Sequence, residues 1–547
     1  MTERFDAVVI GSGFGGAVTA ARLAAAGWSV LVLERGRPYP PGSFPRSPAQ
    51  VAAAFWDPSA GRHGMFDIWS FSGVNAVTAS GLGGGSLIYA NVLLRKPPET
   101  FVGEDGTPWP VGYDELVDHY ERVEDVIRPV PYPAAHEART PKTRAMRRAA
   151  AALGREWESS PLAVAFAAAD DGPPGLGDPL PDDEHNVHGA ARTTCRLCGE
   201  CDLGCNFGAK QTLDHTYLSR AGRDGAVLRT LCEAMVIARD GDGGYAVTYR
   251  RHLGDARDGV TETLLDGDGD APTATVRAKH VVISAGTVGT ARLLLRNRAG
   301  LPGLSARLGE GFSSNGDLLT FAWRTPRELD MSTGPVITGS MRWSDAESPS
   351  GRMFQVQDAG VPAIGEWFFH AFDIPATTWG ARRIIMKWIA RRLRGRRDTS
   401  IGTELSALIG RGPVSTGSLP LLGMGRDVPG GRLYLRGSDL DCDWDERDSE
   451  QVFDAIVDAS RGIARELGGE LRRVPLAHLI TVHPLGGCAM AGDPRTGVVD
   501  AHGRVFGEPG LHVADGSVMP GPVGPNPSLT IAALADRFAD AMIEAGP

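Results

Sequence analysis

Residues 5–36, FDAVVIGSGFGGAVTAARLAAAGWSVLVLERG, decide the fold. Ala7 to Ile10 is an unbroken apolar run, the pattern of a strand buried on both faces of a parallel sheet. Gly11, Gly13 and Gly16 follow as GxGxxG, with Phe14 and Gly15 between the last two glycines. The first glycine permits a tight turn, the second lets backbone approach a pyrophosphate, and the third lets the next helix pack on the strand. That helix N-terminus offers unpaired N–H groups and a positive dipole end to phosphate. Val30 to Leu33 reads as a second buried strand, and Glu34 ends it, 18 residues after Gly16, where a carboxylate can accept both ribose hydroxyls. An acid there disfavours a 2′-phosphate, so the expected ligand is FAD or NAD rather than NADP.

Working outward, residues 280–297, HVVISAGTVGTARLLLRN, repeat the order strand, glycine turn, helix. The nucleotide-binding domain is therefore expected to be assembled from distant pieces. A second glycine cluster, GLGGGS at 81–86, can aim successive backbone N–H groups at a cofactor or serve as a plain turn. Helices are expected over 139–153 and 448–467, strands over 226–238 and in GYAVTYRRHL, and a surface loop over 170–183. The tail contributes a strand and turn in GLHVADGSVMP and a helix in SLTIAALADRFADAMIEA.

The chain is too long for one ordinary domain, at 547 residues, and the division read from it runs as follows. Residues 1–150 and 211–312 are the first and second parts of the nucleotide domain, with 151–210 a cysteine-rich insertion between them. Residues 313–475 form a substrate domain, and 476–547 return to the nucleotide domain with the active site. The class is α/β: a doubly wound, Rossmann-like domain in discontinuous segments, plus an α+β substrate domain on a mixed or antiparallel sheet. A net charge of −10 argues against a general nucleic-acid binder. No run reaches the roughly 18 apolar residues of a membrane span. MTERFDAVV enters the first strand directly, without a secretory signal, so the expected location is cytoplasmic.

Two polar side chains stand out in the glycine-punctuated tail: His483 in HPLGGC and Asn526 in VGPNPSLT. His483 is placed where a strand ends in a tight turn. Asn526 lies between two prolines that fix its backbone. An imidazole and an amide so held can grip an alcohol oxygen from two sides while hydride leaves its carbon, and proton removal lies within histidine's ordinary range.

Taken together, GSGFGGAVTAARLAAAGWSVLVLERG, GLGGGSLIYANVLL, VVISAGTVGTARLLLRN, HPLGGCAM and DGSVMPGPVGPNPSLTIAALADR resemble the glucose-methanol-choline flavoprotein oxidoreductases, nearest the cholesterol oxidase-like branch. The resemblance implies non-covalent FAD that accepts hydride from the carbon bearing an alcohol. It gives His483 the role of orienting or deprotonating the hydroxyl and Asn526 that of polarising the hydroxyl and the flavin edge. It places Gly83, Gly84, Gly85, Ser86 and Asn91 along the flavin, Arg35 with Glu34, Val236 at the adenine, and Ala285, Gly286, Asp515 and Gly516 at the pyrophosphate and ribityl chain. Pro527 and Ser528 would offer backbone to the flavin ring. The chain departs from the pattern at Tyr89, Ala90 and Asn91, where secreted cholesterol oxidases carry an asparagine and two glycines. It also lacks a clear counterpart of the steroid isomerase glutamate: RMFQVQDAGVP offers Gln355, Gln357 and Asp358. Steroid isomerisation is therefore not implied, whereas hydride transfer is.

Cys195, Cys198, Cys201 and Cys205 in TTCRLCGECDLGCNFGAK have the C-x2-C-x2-C-x3-C spacing of bacterial ferredoxins, without the final proline. Three readings stay open: an iron–sulfur cluster, a zinc ion, or ordinary reduced or disulfide-forming cysteines. Cys232, Cys442 and Cys488 read as core residues. Residues 377–397, TTWGARRIIMKWIARRLRGRR, carry eight basic residues and no acid. They suit either a lid resting on anionic lipid, which would make the protein peripheral to a membrane, or a solvated helix packed on the substrate domain.

The expected function is thus oxidation of a bulky, hydrophobic, sterol-like secondary alcohol to a ketone, with oxygen, an acceptor protein or a quinone taking the electrons. One alternative is a dehydrogenase of a polar alcohol or sugar that passes electrons through a cluster to a partner. Another is a flavin electron carrier with no alcohol substrate of its own.

Overall fold

Strand Arg4–Ile10 lies at the centre of a seven-stranded sheet, and its register shows how distant segments meet. Ala7 pairs in parallel with Val30 on one side and His280 on the other. The sheet order is Val227–Arg229, Val30–Leu33, Arg4–Ile10, Thr273–Ile283, Tyr245–Arg251, Cys232–Arg239, with Leu511–Val513 also on Thr273–Ile283. The long strand Thr273–Ile283 makes this possible: its first half pairs antiparallel with Tyr245–Arg251 and its last three residues pair parallel with Leu511–Val513. Helices Phe14–Ala25 and Ser528–Ala545 close the apolar core, because both are buried along most of their length. The computed structural model describes residues 2–46, 50, 52–181, 185–252, 272–326, 329–361, 417–473 and 478–547.

A second sheet of six antiparallel strands runs Glu470–Arg473, Leu318–Trp323, Leu419–Gly425, Phe354–Asp358, Gly339–Trp343, Glu158–Ser159. Helix Glu450–Glu466 buries Val452, Phe453, Ile456 and Ile463 against it, a spacing of three and four that keeps one stripe facing the sheet. Helix Pro141–Ala152, read from sequence as the end of the first nucleotide segment, contributes Met146 and Ala149 to this second core. The edge strand Glu158–Ser159 likewise ties the segment read as an insertion into the substrate sheet.

A buried ion pair pins the two outer elements together. Lys142 Nζ donates to Asp358 Oδ2 at 2.7 Å and to the Val336 carbonyl at 2.6 Å. Asp358 also accepts the Thr338 and Gly339 N–H groups and the Thr338 hydroxyl, so the pair is fully hydrogen-bonded inside the core. Among the described residues no helix is long and apolar enough to cross a membrane. The basic segment 377–397 lies outside the described residues.

Candidate active site

The turn from strand Arg4–Ile10 into helix Phe14–Ala25 forms one wall of a cavity of about 1160 Å³ that runs between the two sheets. Gly11 has φ +96°, and a Cβ there would stand 2.2 Å from the Ser284 carbonyl oxygen, so the turn admits only glycine. At Gly13 an added Cβ would meet nothing within 4 Å; the backbone opens on free space, the close approach that a pyrophosphate requires. Gly16 does not face the cavity and instead packs on the Gly11 carbonyl, the helix-on-strand role.

Gly11, Gly13, Phe14, Gly15, Glu34, Arg35, Gly84, Gly85, Ala285, Gly286, Asp515, Gly516, Asn526, Pro527 and Ser528 all border this cavity, as does His483. The volume exceeds the usual range of roughly 300–1,000 Å³ for a single small ligand, which leaves room for a dinucleotide and a second molecule. The donors and the open backbone at Gly13 fit FAD. Glu34 reaches the cavity with its acceptor positions already engaged: Oε2 takes the Ser12 N–H and hydroxyl, and Oε1 the N–H groups of Gly36 and Gly81. It ties the first glycine turn to the second glycine cluster, a task that the ribose expectation did not include. Asp515 accepts the Ser517 N–H and hydroxyl and the Thr290 hydroxyl, and burial raises its carboxyl.

Four residues expected along the cofactor do not border the cavity. Ser86 accepts the Leu213 N–H and donates to the Gly83 carbonyl, so both brace the loop behind Gly84 and Gly85. Asn91 is fully buried at φ 70°, with neither amide atom hydrogen-bonded to protein. Val236 lies at a shift in the pairing register between Ala234 and Val236 and is 46% exposed. Ala234 and Met235 face the cavity in its place.

His483 follows the short strand Ile480–Thr481, which pairs in parallel with Asn75–Ala79. Its Nδ1 lies 2.8 Å from Asp317 Oδ1. Asp317 Oδ2 accepts the N–H groups of Val482 and His483 and the Thr481 hydroxyl, so one buried carboxylate sets both the backbone and the ring. Asn526 Oδ1 accepts from Gln357 Nε2 at 3.0 Å, which leaves the Asn526 NH2 on the cavity side. The loop before Asn526 is clamped twice. Asn315 Oδ1 accepts the N–H groups of Val523 and Gly524 while its NH2 donates to the Pro525 carbonyl. Buried Lys96 donates to the carbonyls of Pro522 and Val523, and its ammonium sits 4.5 Å from the Trp109 ring centre. Asp427 in turn holds Ser313 and Ser314, so the turn 313–317 supports both candidate catalytic side chains. Asp317 and Asn315 were not found from sequence, and Gln357 was weighed only for isomerisation; the Asn315–Gly316 dipeptide, a turn signal, was the one local clue.

The wall opposite the glycine turns comes from the second sheet and is apolar: Leu318, Phe321, Ala359, Pro420 and Leu422, with Val336 and Ile337. Of the residues weighed for isomerisation none presents a carboxylate here, since Asp358 is locked to Lys142 and Gln357 to Asn526. Asp202 adds one carboxyl to the cavity wall, pushed up to about 6 by burial.

The cysteine quartet borders a separate cavity of about 20 Å³, room for about one water. Cys195 Sγ accepts the Leu197 N–H, and all four are free thiols. A single zinc ion with bonds of about 2.3 Å would draw the sulfurs to about 4 Å of one another. Among the described residues no three of these sulfurs lie within 4.8 Å of one another. As they stand, the thiols fit neither one ion nor the bulk of an iron–sulfur cluster. Cys232, Cys442 and Cys488 are buried core residues.

Comparison with known proteins agrees with this geometry. The GMC oxidoreductase family models match residues 184–313 and 431–535, and a model for FAD dependent oxidoreductases matches residues 6–93. The chain is 31% identical to a cholesterol oxidase of Mycobacterium tuberculosis (strain ATCC 25618 / H37Rv), with 98% of this chain and 91% of that protein covered. It is 28% identical to a cholesterol oxidase of Acinetobacter baumannii (97% and 93% covered). It is 27% identical to a paromamine 6'-oxidase of Streptomyces fradiae (98% and 91% covered). In fold it is similar to the crystal structure of pyridoxine 4-oxidase from Mesorbium loti, at 18% identity and a TM-score of 0.59 over 98% of both chains.

Proposed function

From the premise that the chain belongs to the glucose-methanol-choline (GMC) oxidoreductase family, and is an FAD-dependent oxidoreductase acting on CH–OH groups, we propose that it oxidises a bulky, largely hydrophobic secondary alcohol to a ketone. FAD, when bound, supplies the hydride acceptor. His483 takes the hydroxyl proton at Nε2, because Asp317 on the far side of the ring accepts the Nδ1 hydrogen. Asn526 donates its free NH2 to the alcohol oxygen, held in aim by Gln357. The apolar wall of Leu318, Phe321 and Leu422 supports a sterol-like skeleton over a sugar.

The observation that carries this reading is the hydrogen bond between His483 and Asp317 on the wall of the cavity that Asn526 also borders. An electron carrier without its own substrate has no use for a supported base beside the cofactor cavity. A route through a metal cluster to a partner would need the small space at the cysteine quartet to open. Oxygen, an acceptor protein or a quinone is then the acceptor.

The test is anaerobic mixing with sterols, long-chain alcohols and sugars while the flavin absorbance is followed. Bleaching by sterols and not by sugars is expected, and the His483→Ala variant should lose it by a factor of about 10² or more with FAD still bound. Bleaching that survives in His483→Ala removes the assignment of the base; bleaching by sugars alone removes the sterol-like class.

A further inference from the structure

Asp202 sits in the short turn Cys201–Leu203 and borders the cavity. The turn is seated against the apolar wall: the Val336 N–H bonds Cys201, and Lys210, which donates to the Cys201 carbonyl, lies over the Tyr89 ring. Val336 and Tyr89 both face the cavity.

The buried carboxylates on that surface are already bonded, whereas Asp202 is part-exposed. Glu34 serves Ser12, Gly36 and Gly81; Asp317 serves Thr481 to His483; Asp515 serves Thr290 and Ser517. Asp202 accepts no hydrogen bond from any described residue. The two nearest cations do not supply one. Lys210 gives its N–H groups to the carbonyls of Leu87, Tyr89 and Cys201, and Lys142 gives its own to Val336 and Asp358. Asp202 is only part-exposed on the cavity wall, so a ligand that fills the cavity strips the remaining water from its carboxylate; one that brings an N–H or O–H there avoids that desolvation cost.

We propose that Asp202 binds a second hydrogen-bond donor on the non-reacting part of the substrate. The substrate is then an apolar skeleton with two polar ends: the hydroxyl oxidised at His483 and Asn526, and a hydroxyl or amino group held by Asp202. This rests on the reading of the cavity as the alcohol site, and it narrows the class from mono-ols to diols and amino alcohols.

The experiment uses the FAD-loaded full chain and a set of steroid mono-ols, each matched with counterparts carrying a second hydroxyl or an amine at successive positions. Calorimetry gives binding, and anaerobic flavin reduction gives turnover. The wild type is expected to bind at least one donor-bearing member about ten-fold or more tightly than its mono-ol. Asp202→Ala should bring that ratio to near one. Asp202→Asn should keep part of the preference for a hydroxyl and lose that for an amine, which separates the two donors. FAD content and melting temperature of each variant check the fold. No preference in the wild type, or a preference that survives in Asp202→Ala, overturns the proposal. Selective binding that depends on Asp202 without any flavin reduction would instead sink the proposed reaction and leave this assignment standing.

Discussion

Asp317 Oδ1 and His483 Nδ1 lie 2.8 Å apart, joining a turn before the second sheet to the tail of the chain. An ionised carboxylate only accepts, so the Nδ1 position carries the hydrogen and Nε2 is left with a lone pair for the cavity. Asp317→Asn removes that constraint, because an amide can present its NH2 to the ring and favour the other tautomer. The rate of anaerobic flavin reduction should fall by about 10² or more, with FAD content unchanged, since a positioned base contributes typically 10²–10⁴. An unaltered rate would mean that something other than Asp317 sets the ring.

The Asn315 clamp acts on stability as well as on Asn526. Its side chain satisfies two N–H groups and one carbonyl of the loop 523–525, all in a buried site. Asn315→Ala leaves those groups unpaired and puts alanine at φ 56°. The expected loss is about 2–4 kcal/mol in urea unfolding, to which the left-handed backbone adds about 1 kcal/mol. Asn315→Gly should recover only the backbone part. Loss of less than about 1 kcal/mol in the alanine variant would show that water replaces the clamp.

These supports explain which parts of the site could be read from the chain alone. Gly11 to Gly16 and the segment 280–297 were legible because strand, turn and helix are written in consecutive residues. Asp317 meets His483 across 166 positions and Gln357 meets Asn526 across 169, and no local period encodes such pairs. Gln355 and Gln357 alternate with apolar residues and yet are both fully buried, so the pattern does not announce the contact with Asn526. The position of helix Pro141–Ala152 in the second core depends on Lys142 reaching Asp358, again a contact without a sequence signal.

The pH dependence of the clamp follows from Asp427, which is fully buried while it holds Ser313 and Ser314. Burial pushes its carboxyl up to about 6 from an ordinary 3.8. Between those values the folded state keeps a proton that the unfolded chain has released. The contribution of this group therefore falls as pH rises through that window and is flat above it. A shift of this size corresponds to about 3 kcal/mol. Urea unfolding of wild type and Asp427→Asn at several pH values should show the wild type losing ground to the variant between about pH 4 and 6. A difference that does not change over this range, or changes in the opposite sense, would refute the assignment.

The cysteine quartet gives a last prediction, set by room and by proton affinity. The four thiols surround a space of about 20 Å³, smaller than an iron–sulfur cluster. Burial pushes Cys198 up to about 12 and raises Cys195 and Cys201 as well, which favours the thiol over the reactive thiolate. Purified protein should carry far less than one iron and one labile sulfide per chain. A thiol reagent should modify the quartet slowly in buffer and all seven cysteines rapidly in guanidinium. Gly199 and Gly204, both at positive φ, are the points where the loop could open to admit a larger group. Stoichiometric iron and sulfide would show that it does so, and would restore the route from flavin to an external one-electron acceptor.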